Sequence, residues 1–92
     1  MEKDWRYEYL QTQSYLRGAQ FQRMRYRAYR PDWDHDHCVG CWAKFAEQDS
    51  PSEPIEHEGY TTCADYAKGA QYEWVCLKCF ADFKEEMGWK VA

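Results

Sequence analysis

The hydrophobic and polar positions keep no single period along these 92 residues, and each change of rhythm marks a different element. The clearest is helical: Phe80, Phe83 and Met87 fall on one stripe, Asp82, Lys84, Glu85 and Glu86 lie elsewhere, and Gly88 supplies a C-terminal stop. From Ala19 the pattern alternates, with Phe21, Arg23, Arg25, Arg27 and Tyr29 on one side and Met24, Tyr26 and Ala28 on the other. That rhythm predicts a strand, stopped by Pro31. In residues 5–18, Trp5, Tyr9, Tyr15 and Leu16 fit either a short helix or irregular structure, ended by Gly18. Trp42, Phe45 and Ala46 stand at helical spacing and predict a short helical turn. Residues 49–59, DSPSEPIEHEG, hold two prolines and four acids; without periodicity or apolar anchors, the span from Asp49 to Glu58 reads as a mobile loop. Beyond it, YTTCADY and YEWVC flank AKGAQ. This is a β-hairpin pattern, with Gly69 in the turn and Trp74, Tyr60 and Tyr66 toward the core.

The length allows one small domain, whose core alone is marginal and calls for a disulfide, a metal or a partner. Five Trp, eight Tyr and four Phe argue against disorder, since each ring buries a large area. No apolar run approaches 18 residues and no charged-then-apolar segment opens the chain, so neither a membrane span nor a signal peptide is expected and the expected location is cytoplasmic. Charge divides the domain. Residues 1–31 carry seven Lys/Arg against three Asp/Glu, a basic extension bearing the strand, while residues 32–92 carry five Lys against thirteen Asp/Glu, an acidic core. Net charges of +4 and −8 follow. The second part should repel phosphates.

Cysteine supplies the chemistry. Four of the five cysteines form two C-x-x-C pairs, Cys38/Cys41 and Cys76/Cys79, separated by 34 residues. A tight turn brings two sulfurs to one side, and two such turns complete the tetrahedron that Zn²⁺ prefers. One structural zinc on these four is the reading; disulfides are the weaker one without a secretion signal. Gly40 is expected to serve the first turn by adopting a left-handed conformation. Lys78, between the second pair, would place a cation beside a site that carries −2 with four thiolates. Cys63, left over on a hairpin strand, reads as a small buried hydrophobe. The neighbouring string DWDHDH adds His35 and His37, expected to hydrogen-bond around the knuckle rather than to bind the metal. Replacement of one cysteine ligand by a histidine, His37 first, stays open.

Knuckle, hairpin and a C-x-x-C that opens a helix together give an α+β, zinc-stabilised, treble-clef-like plan with an N-terminal strand. Residues 33–89, from W-D-H-D-H-C-x-x-C-W through W-V-C-L-K-C-F-A-D-F-K to G-W, resemble a group of short uncharacterised bacterial proteins, and Y-L-R-G-x-x-F at 15–21 shares that likeness. The resemblance implies a bacterial, cytoplasmic setting and no particular activity. CLKCFADFK also resembles the C-x-x-C-H-x-x-K segment of HNH nucleases, but Phe80 stands where their histidine would be. A degenerate nuclease is therefore the remote alternative. Four thiolates leave no position for a metal-bound water, so the expected function is non-enzymatic: protein–protein interaction with a basic partner, as a toxin-neutralising or regulatory adaptor. The alternative is nucleic-acid binding through Arg23, Arg25 and Arg27, which alternate with rings suited to stacking.

Overall fold

The computed structural model describes residues 5–27 and 35–92. Ala28, Tyr29 and Pro31 at the expected strand end, and Trp33 and Asp34 before the first cysteine pair, lie outside the described residues. Helix α1 (Trp5–Gln11) is followed by a 3₁₀ turn (Ser14–Leu16) and strand β1 (Gln20–Arg25). Two short strands come next, β2 (Asp36–His37) and β3 (Lys44–Phe45), then β4 (Glu58–Thr62), β5 (Trp74–Cys76), helix α2 (Leu77–Met87) and β6 (Lys90–Val91). The main sheet has the order β5-β4-β1-β6, antiparallel except for the β1–β6 pair. No helix among the described residues is long and apolar enough to cross a membrane.

The basic N-terminal segment is integral to this α+β fold. β1 lies between β4 and β6, its Phe21 opposite Thr62 and its Arg25 opposite Glu58. Because side chains alternate across a strand, this register sends Phe21, Arg23, Tyr60 and Val75 to one face and Met24, Tyr26, Thr61 and Trp74 to the other. Helix α2 covers the first face. Phe80 stacks on Tyr60 at 3.7 Å between ring centroids and meets Phe21 edge-on at 5.8 Å. Trp89, just past α2, closes the same cluster at 5.5 Å from Phe80 and donates its indole N–H to the Leu16 carbonyl. Arg23 extends beyond the helix on that face, reaches water and pairs with Glu58 at 2.9 Å.

The β2–β3 hairpin covers the second face. Phe45 packs on Trp74 at 5.4 Å and on Tyr26 at 5.9 Å, and the Tyr26 hydroxyl donates to Asp36 at 2.8 Å. Gly59 permits this layer to sit close: a Cβ there would lie 2.9 Å from the Phe45 ring and 2.6 Å from the Val75 carbonyl oxygen. The helical turn expected at 42–46 is instead strand β3. Cys38 N–H donates to Ala43 C=O at 2.8 Å and Asp36 pairs with Phe45. Pairing with β2 overrides the helical spacing: Trp42 stays exposed in the turn at a positive φ, while Phe45 is buried in β3.

Two further expectations shift. The span 49–58, expected to be a mobile loop without apolar anchors, is tied by polar contacts: Glu56 N–H donates to Lys44 C=O, the His57 ring bridges Ala46 C=O and Asp49, and Glu58 already opens β4. The β4–β5 hairpin is present with Trp74 fully buried, but its connection runs from 63 to 73. Buried Thr62 organises that connection, its hydroxyl donating to Gly69 C=O and accepting from the N–H groups of Tyr72 and Glu73. Cys63 therefore sits just after β4 and is half-buried rather than a strand core residue.

Candidate metal centre

The sulfurs of Cys38, Cys41, Cys76 and Cys79 all lie within 4.8 Å of one another. Zinc–thiolate bonds of about 2.3 Å place tetrahedral sulfurs about 3.8 Å apart; Cys41 and Cys76 stand at 3.7 Å. None of the four is disulfide-bonded. The described residues contain no other comparable group of His, Cys, Asp and Glu.

Local backbone chemistry builds each half. In the knuckle, Trp42 N–H donates to Cys38 C=O at 3.1 Å, and Trp42 itself takes the left-handed φ of 67°. The left-handed residue of the turn is thus not Gly40, whose φ is not in that region. Gly40 is needed for space: a Cβ would lie 3.0 Å from the Cys79 sulfur. In the second half, Cys76 ends β5 and caps α2, accepting from Cys79 N–H at 3.4 Å. Cys79 then sits in the first turn, where the helix dipole favours a thiolate.

Donors converge on the sulfurs. Gly40 N–H and Cys76 N–H both donate to Cys38 Sγ at 3.3 Å. Hydrogen bonds from Cys38 and then Cys79 pull the Cys76 thiol down to about 2. Cys38 is pushed up to about 12, first by its hydrogen bond to Cys76, and Cys79 is pushed upward, first by Cys38. Such a cluster holds one thiolate readily and resists further ones, because like charges crowd in a poorly solvated space. A divalent cation at the centre reverses that penalty. The residues therefore fit a metal ion, which would be held by these four sulfurs.

Arg6 is the residue that sequence reasoning missed. Its guanidinium donates to Cys79 Sγ at 3.4 Å, pairs with Asp82 at 2.9 Å and lies over the Phe83 ring at 4.8 Å. The side chain is only 14% exposed. The role expected of Lys78 does not fall to Lys78, which is 77% exposed and turned to Asp82. No local signal marks Arg6, since it lies 73 residues from Cys79.

His35 and His37 stand outside the sulfur cluster. Their rings meet edge-on at 4.9 Å, and His37 lies 5.5 Å from the Trp42 ring. Trp42 also meets Tyr9 at 5.9 Å, yet stays 55% exposed beside the knuckle. Arg23, Arg25 and Arg27 are all exposed, the first two in the second half of β1 and Arg27 just beyond its end. No family model, curated protein or solved structure matches this chain.

Proposed function

We propose that this chain is a non-enzymatic zinc module of treble-clef type that works by recognising a basic protein partner. The observation that carries the reading is the closed four-sulfur set, all within 4.8 Å. Four thiolates saturate Zn²⁺ and leave no position for a water or substrate. Among common divalent ions, all-sulfur tetrahedral sites select zinc or iron, and zinc needs no redox partner. The order of knuckle, β4–β5 hairpin and α2 opening at the second cysteine pair supports the treble-clef assignment.

A partner reading draws on charge and on one side chain. Residues 32–92 carry a net −8, and zinc with four thiolates adds about −2. Such a surface attracts basic proteins and speeds their encounter. Trp42, exposed and held at a φ of 67° by the knuckle, is the ring best placed to anchor an interface. A toxin-neutralising or regulatory adaptor would use these features. The competing nucleic-acid reading draws on the exposure of Arg23, Arg25 and Arg27, although Arg23 is already paired with Glu58.

The test compares capture of cellular proteins with binding to duplex and single-stranded nucleic acid, at low and physiological salt. One protein should be retained at physiological salt and lost with Trp42→Ala. Nucleic-acid affinity that survives physiological salt and disappears in Arg23→Ala/Arg25→Ala/Arg27→Ala would replace this reading with the other.

A further inference from the structure

The four sulfurs of the cluster are not equivalent. Cys38, Cys76 and Cys79 are 1%, 4% and 0% exposed, whereas Cys41 is only half-buried and keeps contact with solvent. Hydrogen bonding divides them the same way. Cys38 Sγ accepts from two backbone N–H groups, those of Gly40 and Cys76, both at 3.3 Å. Cys76 Sγ accepts from Cys79 N–H at 3.4 Å, and Cys79 Sγ from the Arg6 guanidinium at 3.4 Å. Among the described residues no N–H donates to Cys41 Sγ, which stands 3.7 Å from the sulfur of Cys76.

Both differences act on reactivity. The thiolate is the nucleophile toward soft electrophiles and peroxides, and attack requires that the reagent reach it. A donor N–H stabilises the negative charge that bond formation consumes, so each donor slows attack at its own sulfur. Such donors tune a metal-bound thiolate as they do a free one. Exposure and the missing donor therefore single out the same residue, and Arg6 shields the sulfur at the opposite extreme.

We propose that Cys41 is the reactive sulfur of the metal centre, the position at which peroxides and soft electrophiles enter, and that Cys76 completes its oxidation. With hydrogen peroxide, the Cys41 thiolate attacks one oxygen; the S–O bond forms, the O–O bond breaks and hydroxide leaves. Cys76 Sγ, 3.7 Å away, then attacks the sulfenic sulfur of Cys41, forming S–S and expelling a second hydroxide. The two thiolates have lost two electrons, and the peroxide has been reduced to two hydroxide ions. Cys38 and Cys79 remain as ligands, and two donors cannot hold Zn²⁺ as four do, so oxidation at the exposed sulfur releases the metal. Only this last step rests on the zinc reading above; the order of reactivity belongs to the sulfurs themselves.

The test treats the full chain, once its zinc content has been measured, with a limiting amount of N-ethylmaleimide or of hydrogen peroxide while a chromophoric chelator reports released metal. The thiolate adds across the maleimide double bond, whose far carbon takes a proton from water. Peptide mass spectrometry locates the products, with Cys63 counted apart because it lies outside the cluster. Cys41 should carry the maleimide at least about fivefold more often than any other member of the set, the factor that one hydrogen bond is worth. Peroxide should yield the Cys41–Cys76 disulfide, with metal released in step. No reaction at Cys41, equal labelling of the four sulfurs, a first label on Cys38, Cys76 or Cys79, or a disulfide within either C-x-x-C pair would overturn the proposal. A chain that holds no zinc before treatment would refute the zinc reading, and the order of labelling would still decide between Cys41 and the other three.

Discussion

Replacing Arg6 with Met tests the link between α1 and the metal centre. The substitution keeps an unbranched apolar stem but removes the charge. It deletes the hydrogen bond to Cys79 Sγ at 3.4 Å and the ion pair with Asp82 at 2.9 Å. The Phe83 ring, now 4.8 Å from the guanidinium carbon, would face a thioether instead. A hydrogen bond to a charged group contributes about 1.5–3 kcal/mol. Independently, loss of a group that supports a metal ligand costs about 10–100-fold in affinity, which converts to about 1.4–2.8 kcal/mol. The ring contact roughly cancels, because sulfur and guanidinium attract an aromatic ring by similar amounts. Asp82 faces water, so nothing is added for its ion pair. The expected loss is about 2 kcal/mol of zinc-linked stability, or roughly 8–16 °C in Tm for a domain of this length. Competition against a chromophoric chelator measures the affinity and thermal unfolding at saturating zinc measures the stability. Lys78→Met is the control, since Lys78 is 77% exposed and makes no contact with sulfur. Unchanged zinc affinity in Arg6→Met, or an equal loss in Lys78→Met, would show that the buried guanidinium does not support the sulfur set.

Chelating the metal should abolish the near-UV dichroism of the tryptophans, because zinc binding energies of about 10–16 kcal/mol exceed the stability of most small domains; a spectrum unchanged after verified metal loss would show that the aromatic core suffices. Gly59→Ala should cost about 1–3 kcal/mol in denaturant unfolding through overpacking, since its Cβ would press on Phe45 and on the Val75 carbonyl, and a neutral result would mean that the β2–β3 layer moves freely. Glu73→Gln should raise Tm at neutral pH, because burial lifts the carboxyl's folded pKa above its ordinary value and penalises the ion. The folded wild type takes up its proton as pH falls through that raised pKa, so its stability recovers and the advantage of the variant should shrink until it is gone below the ordinary glutamate range. A difference between the two proteins that is independent of pH would contradict that sign.

Several of these features are legible in the sequence. The stripe of Phe80, Phe83 and Met87 predicted α2, and all three are buried in it. Alternation after Ala19 predicted β1, although the strand ends at Arg25 rather than running on through Tyr26 and Arg27, and the hairpin pattern placed Trp74 in the core. Helical spacing misled at Trp42 and Phe45, where so few residues cannot distinguish a turn from a strand. Gly40 serves the turn through close packing and not through the expected left-handed conformation. Its neighbour across the site, Cys79, is supplied by a helix that begins far along the chain, so the crowding is invisible locally.

What the sequence determined by itself is whatever depends on residues a few positions apart. A C-x-x-C turn presents two sulfurs together whatever surrounds it, so Cys38, Cys41, Cys76 and Cys79 could be named from spacing alone, and the fold brings them within 4.8 Å of one another. The tertiary structure alone decided which residues meet across the layers. Arg6 reaches Cys79 because β1 enters the middle of the sheet and lays α1 beside α2. Glu73 gathers tyrosines from two distant segments because Thr62 folds the 63–73 connection back toward the 3₁₀ turn. Hydrophobic periodicity records which side of an element is buried, but not what is buried against it, and that pairing is fixed only when strand order and register are.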